Sequence, residues 1–287
     1  MSTLSMLVIV TGSPDDNATV AIAADLAKRH TSRAVVVNAF ESFPVGAMAV
    51  PAFSGGIYAR EMWTAVRDHA ETVERAIETL VEEEVHRFGL SQSPGDDASM
   101  IIAASAATTH ATLMRELPLV DLAVVGQSCV AEAGSWIGAL GEVLMEARTP
   151  VLLARSEASI AGRSAAVAWD GSFQAARAVR AALPLLKGAS EVAIVQDREG
   201  LDVSPGGPAN PDRLRSYLGR HGVTIETVLE AQGRRIGPAI LEAVGKFGAA
   251  LLVAGAYRHA RLQEAIVGGV TRTLLKLDAG PHLLISH

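Results

Sequence analysis

Hydrophobic positions follow two periodicities in this chain, and the two alternate from end to end. Short apolar runs such as Val124–Val125 and Leu251–Val253 suit strands that are covered on both faces of a sheet. Between such runs, apolar residues recur every three or four positions, as in Val267, Val270 and Leu274, which is the spacing of one helix face. The pattern therefore predicts alternating strands and helices.

The alternation passes through the same order of elements twice. In the first half, strands are expected near Met6–Val10, Ala34–Ala39, Met100–Ser105, Leu122–Gly126 and Val151–Ala154, and helices near Asn17–His30, Glu61–Phe88, Ala107–Leu117 and Leu140–Ala147. In the second half, strands are expected near Ala165–Trp169, Glu191–Gln196, Thr224–Leu229, Ala249–Gly255 and His282–Ser286, and helices near Phe173–Leu186, Pro211–His221, Ile236–Phe247 and Ala265–Leu277.

Strands joined through helices by short turns favour parallel pairing with right-handed crossovers. The sequence therefore predicts an α/β protein made of two tandem, doubly wound, open parallel-sheet domains of Rossmann-like type. We place the first domain at residues 1–155 and the second at 163–287, with the polar segment Arg155–Gly162 as the linker. The last strands of the two domains, Val151–Ala154 and His282–Ser286, are expected to pair antiparallel.

The first half is longer because it carries an insertion at about 41–60. This segment contains Phe43, Met48, Phe53 and Tyr58, so we expect it to pack across the sheet edge or onto the other half. The alternative is a mobile loop.

Amino-acid composition disfavours some classes of binding partner and indicates a cellular compartment. The chain has 287 residues, 49% of them hydrophobic, and a net charge of −6, which argues against nucleic acid or an anionic membrane as the main partner. One cysteine, Cys129, fits a reducing cytosol and is expected to be a small buried side chain. There is no signal-peptide pattern and no apolar stretch of membrane-spanning length, so we expect a cytoplasmic location.

The segment after the run Ala249–Ala254 has the layout of an anion site. Gly255 ends the expected strand, a loop follows, and the pair Gly268–Gly269 opens the next helix. Glycines allow a close backbone approach to a phosphate, and the free N–H groups at a helix start point towards it. Asp170, at the end of the strand Ala165–Trp169, is placed to accept a hydrogen bond from a ribose or adenine, and alternatively Asp170 or Ser172 caps the next helix.

The same residues resemble the universal stress protein family. The motifs are Gly255-Ala-Tyr-Arg-His-Ala-Arg-Leu-Gln-Glu264 with Gly268-Gly-Val-Thr-Arg-Thr-Leu-Leu275, and Val167-Ala-Trp-Asp-Gly-Ser172. The resemblance implies the adenine-nucleotide alpha-hydrolase-like fold and an ATP loop of the form Gly, two residues, Gly, nine residues, Gly, Ser/Thr. Gly255 and Gly268 match that loop, whereas Arg258 replaces its second glycine and Gly269 its Ser/Thr. The residues implied for nucleotide binding are Asp170, Gly255, Arg258, Gly268, Gly269, Val270 and Thr271.

The resemblance implies a tandem universal stress protein, a cytoplasmic stress-response module that binds ATP or another adenine nucleotide weakly in its second half. The first half has Thr11-Gly12 where the second has its aspartate, so it is expected to keep the fold without the site. No catalytic residues and no metal site are expected, and the chain is interpreted as a non-enzyme with an unknown protein partner. It would form an intrachain pseudo-dimer, with a homodimer as a further option. The alternatives are a nucleotide-independent scaffold and an ATP-using enzyme of related architecture.

Overall fold

The computed structural model of this protein describes residues 3–39, 57–95, 98–104, 109–130, 143, 147–256, 269–277 and 279–287. Its strands are β1 Ser5–Val10, β2 Arg33–Asn38, β3 Ser99–Ile102, β4 Leu122–Val125, β5 Val151–Leu153, β6 Ala165–Ala168, β7 Val192–Gln196, β8 Ile225–Glu230, β9 Leu251–Gly255 and β10 His282–Ser286. Its α-helices are α1 Asp16–His30, α2 Ile57–Phe88, α3 Thr109–Glu116, α4 Phe173–Lys187, α5 Pro211–Arg220, α6 Ile236–Phe247 and α7 Gly269–Leu275.

All ten strands lie in one open sheet, in the order β3-β2-β1-β4-β5-β10-β9-β6-β7-β8. Within each half the pairings are parallel, and the strand order reverses beside β1 and beside β6, which makes each half doubly wound. The halves meet where β5 and β10 pair antiparallel, with Leu153 opposite Leu283 and Val151 opposite Ile285. The α/β class and the pairing of the last strands are thus confirmed, while the domain boundaries at 155 and 163 stay predictions.

Successive residues of each central strand enter different cores. Met6, Val8 and Val10 pack in the core under α1, α2, α4 and α5, whereas Leu7 and Ile9 pack in the core on the opposite face. Side chains alternate across a strand, and both faces are covered, so the strands are apolar without interruption. This double coverage explains why short apolar runs marked the strands in the sequence.

The segment Arg155–Gly162 connects the halves while packing on both of them. Ser159 Oγ donates to Asp25 Oδ2 on α1 at 2.5 Å. Ile160 is only 3% exposed and packs in the same core as Met6 and Val8. In the second half, the carbonyl of Pro281, just before β10, accepts a hydrogen bond from the Arg155 guanidinium. The predicted linker is therefore an ordered strap between the two halves.

Three predicted elements differ from the structure or fall outside its described part. Helix α2 begins at Ile57, so residues 57–60 of the expected insertion are helical, because the helical pattern extends further back than Glu61. Residues 41–56, the rest of that insertion, lie outside the described residues, as does most of the helix expected at Leu140–Ala147. In the described part of the chain, no helix is both long and apolar enough to cross a bilayer.

Candidate functional site

A cavity of about 360 Å³ opens at the carboxyl ends of β6, β7 and β9, in the second half. This is the edge at which open α/β sheets bind ligands, beside the reversal of strand order. The described residues of the cavity wall include five of the seven predicted binding residues: Asp170, Gly255, Gly269, Val270 and Thr271. Arg258 and Gly268 lie outside the described residues. The fold thus brings the two separated motifs of the sequence together.

Asp170 and Ser172 both accept backbone N–H groups at the start of α4. Asp170 Oδ1 accepts the backbone N–H of Ser172 at 2.9 Å, and Ser172 Oγ accepts the N–H of Ala175 at 3.1 Å. Ser172 is therefore the helix cap, and the Asp170 carboxylate closes the preceding turn. Asp170 also lies in the cavity wall.

Gly255 is required by packing between elements. A Cβ at this position would lie 2.6 Å from the backbone nitrogen of Ala175 and 3.0 Å from the Cβ of Gln174. The missing side chain therefore allows the first turn of α4 to lie directly on the end of β9. Sequence analysis assigned this glycine to phosphate approach, whereas the structure shows that close strand–helix packing needs it first.

The start of α7 forms another part of the cavity wall. Gly269 is exposed and a Cβ there would meet no atom within 4 Å, while Thr271 is 7% exposed. The far end of this short helix is held by the first half: Gln127 Nε2 donates to the carbonyl of Leu275 at 2.7 Å, and the Arg155 guanidinium donates to the carbonyl of Leu274. The C-terminal end of α7 is thus held by two donors from the first half, Gln127 and Arg155.

Sequence analysis missed the contribution of β7. Gln196 ends this strand, is 1% exposed, and donates from Nε2 to the carbonyls of Trp169 and Ala209 at 3.0 and 2.8 Å. Its Oε1 is buried and has no partner among the residues that the structure describes. A buried acceptor without a partner costs about 1–3 kcal/mol, so a donor reaching it would relieve that cost. Its position at the end of a strand was the available signal, but no motif marks it.

The cavity wall is acidic. Asp197 and Glu199 follow β7 and line the cavity with Asp170, and the described part of the wall contains no lysine or arginine. These carboxylates do not form a metal-binding group among the described residues. Repulsion by carboxylates opposes a polyphosphate at this end of the cavity. Apolar side chains line the rest, chiefly Val195, Leu201, Ile236 and Ile240.

At the corresponding strand ends of the first half, side-chain carboxylates of the chain accept backbone N–H groups. Asp15 Oδ2 accepts the backbone N–H of Ser128 at 2.8 Å, and a Cβ on Gly126 would lie 2.1 Å from that same oxygen. Asp16 accepts the N–H groups of Thr11 and Gly12 at 3.1 and 2.7 Å. Two carboxylates therefore accept the N–H groups of Thr11, Gly12 and Ser128 at this edge of the sheet. Sequence analysis noted the altered motif but not these aspartates.

Burial shifts the pKa values of Asp16, Cys129 and His282. Burial raises the pKa of Asp16 to about 6, opposed by the hydrogen bonds from Thr11 and Gly12. Burial also raises the pKa of the Cys129 thiol to about 12, so this buried cysteine is an inert packing residue, as expected. In β10, burial lowers the pKa of His282, whose ring contacts the carbonyl of Ala158 at 3.0 Å.

The architecture matches solved structures along almost the whole chain. A universal stress protein from Archaeoglobus fulgidus is 14% identical, with a TM-score of 0.65, and the match covers 99% of this chain and 96% of that one. A functionally unknown protein from Pseudomonas aeruginosa is 14% identical, with a TM-score of 0.50 and coverages of 98% and 92%. No profile of a known protein family and no curated protein matches the sequence. The chain therefore has the fold of a universal stress protein at tandem length, as the resemblance implied.

Proposed function

We propose that this chain is a tandem universal stress protein that binds an adenine nucleotide weakly in its second half. It acts as a cytoplasmic stress-response module and not as an enzyme. The observation that carries the proposal is the contrast between the halves. Asp170, Gly255 and Gly269 line an open cavity, whereas in the first half Asp15 accepts the N–H of Ser128 just after β4.

The cavity offers separate environments for the parts of a nucleoside. Ile236, Ile240 and Val195 provide apolar surface for a base, and Asp170 provides an acceptor for ribose hydroxyls. The N–H groups at the start of α7 are placed for a phosphate, but Gly269 contributes no hydroxyl. We therefore expect the nucleoside to supply most of the affinity.

Binding is tested first by mass spectrometry of small molecules released from the purified, denatured protein. Calorimetry with ATP, AMP and adenosine should then give at most one site per chain. Asp170→Ala should weaken binding about fivefold or more, equivalent to about 1 kcal/mol for a lost hydrogen bond. Thr11→Ala, at the matching place in the first half, is the control and should leave binding unchanged. Two equivalent sites, or loss of binding in the Thr11 variant alone, would contradict the assignment.

The altered loop predicts how the affinity for ATP can be raised. The double change Arg258→Gly and Gly269→Ser restores the family pattern, and the open space around Gly269 accepts a serine side chain. We expect ATP to bind about tenfold more tightly, equivalent to about 1.4 kcal/mol, while adenosine binding stays constant. Weaker ATP binding in the double variant would instead identify Arg258 as a phosphate ligand.

The acidic wall favours one alternative, a scaffold that works without a nucleotide. Asp170, Asp197 and Glu199 together disfavour an anionic ligand. Absence of any co-purified nucleotide, together with no thermal shift on adding ATP or adenosine, would support the scaffold. Steady release of phosphate from ATP would support an enzyme instead.

A further inference from the structure

A second cleft lies on the other side of Trp169, between α4 and α5. Its volume is about 880 Å³, and Trp169 and Ser172 border both this cleft and the candidate nucleotide cavity. The cleft opens on the helical face of the second half, away from the glycine motif. The proposed nucleotide site does not use it.

The cleft carries positive charge that the described residues do not neutralise by ion pairs. Arg180 of α4 and Arg213 and Arg220 of α5 line it and are exposed. None of the three forms an ion pair with a carboxylate in the described part of the chain. Asp212 is the one acidic residue among the described residues of the lining, and Arg215 forms an ion pair with it. The cleft is thus locally basic in a chain whose net charge is −6.

The arrangement of the arginines indicates an elongated ligand. Arg213 and Arg220 are seven residues apart on one helix, which is about two turns or roughly 10 Å. Arg213 is braced by hydrogen bonds to the carbonyls of Gly206 and Gly207, at 3.4 and 3.1 Å, which orient its guanidinium. Charges spread over this distance suit several carboxylates along a chain better than a single small anion.

Aromatic side chains also line the cleft. Phe173, at the first turn of α4, is 81% exposed, and the Tyr217 ring lies against the His221 ring in a tilted arrangement, with ring centroids 4.6 Å apart. An exposed phenyl ring beside arginines is a suitable anchor for an apolar side chain of a partner. Nucleic acid is disfavoured because the net negative charge of the whole chain repels a polyphosphate.

We propose that this cleft binds an acidic segment of a partner protein. Carboxylates of the segment pair with Arg180, Arg213 and Arg220, and an apolar or aromatic side chain packs on Phe173. The proposal is independent of nucleotide binding.

Fluorescence anisotropy with a fluorescein-labelled peptide tests the proposal. The probe has about twelve residues, with four glutamates around a central phenylalanine, and a matched peptide carries lysine in place of glutamate. We expect the acidic peptide to bind and the basic one not to bind. Arg180→Ala and Arg220→Ala should each weaken binding about two- to fivefold, the size of an exposed ion pair. The double reversal Arg180→Glu and Arg220→Glu should weaken it at least about thirtyfold.

The control is Arg33→Glu, which reverses one charge at an exposed position of the first half and should leave binding unchanged. Absence of acidic-peptide binding, or equal weakening by Arg33→Glu, overturns the proposal. Competition by single-stranded DNA at equal concentration would identify a nucleic-acid site instead. A dimer of the wild type that Arg180→Glu dissociates in sedimentation experiments would identify a second copy of this chain as the occupant.

Discussion

The Asp16 carboxylate stabilises the turn after β1 by hydrogen bonds, but its burial disfavours its charged form. It is 4% exposed, at the start of α1, and its oxygens accept the N–H groups of Thr11 and Gly12. Those bonds close the turn after β1, but the desolvated carboxylate is disfavoured, which is why its pKa rises to about 6. The first half therefore keeps its turn closed without a ligand.

This pKa predicts the direction of a pH effect. A raised pKa in the folded state means that the folded state binds the proton more tightly, so the contribution of Asp16 to stability is lost as pH rises through about 6. The Asp16→Asn variant keeps an acceptor and removes the charge. It should raise the free energy of unfolding by about 1–3 kcal/mol at pH 7.5 and by little at pH 4, as measured by urea denaturation.

Asp25→Asn is the matched comparison, because Asp25 is also buried but pairs with Arg29 at 2.6 Å and accepts from Ser159. That variant should lower stability at pH 7.5. An Asp16→Asn variant that is destabilised at both pH values would show that the turn depends on both carboxylate oxygens.

At the scale of elements, the position of α4 depends on the absence of a side chain at the end of β9. The backbone nitrogen of Ala175 lies only 2.6 Å from the position that a Cβ at residue 255 would take. The same close approach recurs in the first half between Gly126 and Asp15. The glycine at the end of each strand therefore determines how closely the start of the neighbouring helix can approach. That helix is α4 beside Gly255 and α1 beside Gly126.

Gly255→Ala should therefore separate α4 from β9. We expect a loss of about 1–3 kcal/mol in the free energy of unfolding, the usual cost of overpacking, together with weaker nucleoside binding. Gly245→Ala, in α6 and with no atom within 4 Å of the added Cβ, should be neutral or stabilise by up to about 1 kcal/mol. Equal effects of the two changes would contradict the packing argument.

At the scale of the whole molecule, the halves are joined by more than the β5–β10 pair. Arg155 donates to carbonyls at the end of α7 and before β10, and the ring of His282 contacts the carbonyl of Ala158 in the strap. A cation at a helix C-terminus also interacts favourably with the helix dipole. Helix α7, which borders the candidate site, is therefore supported by Arg155, two residues after β5.

Arg155→Met keeps much of the side-chain volume and removes these donors. It should lower the free energy of unfolding by about 1–3 kcal/mol and weaken nucleoside binding in calorimetry, because α7 loses its support. Arg33→Met, at an exposed position, should change neither quantity. Unchanged binding in the Arg155 variant would show that the cavity is independent of the junction.

The junction should also be sensitive to acid. The pKa of His282 is lowered by burial, so the unfolded state binds the proton more tightly, and stability is lost as pH falls below about 6.5, the ordinary value for histidine. His282→Gln cannot titrate. Between pH 7.5 and 5.5 we expect the variant to lose less stability than the wild type in thermal denaturation, and an equal loss would assign the acid sensitivity elsewhere.

Much of the fold follows from local patterns in the sequence. The apolar runs predicted the strands because both faces of each central strand are covered, and the repeated order predicted the antiparallel contact of Val151–Leu153 with His282–Ser286. Gly255 and Asp170 were recognised because each ends an expected strand ahead of a helix, and because both lie in motifs that resemble the universal stress protein family. The domain boundaries and the nucleotide remain predictions.

Other features depend on residues far apart in the chain and leave no local pattern. Gln196 enters the cavity wall because β7 lies beside β6, and the place near Gly126 is closed by Asp15, more than a hundred residues earlier. The arginine cleft needs α4 and α5 side by side, and the cap of α7 needs Arg155 from across the junction. Burial, helix approach and the pairing of distant charges are properties of assembled surfaces, so they become visible only when the sheet brings those surfaces together.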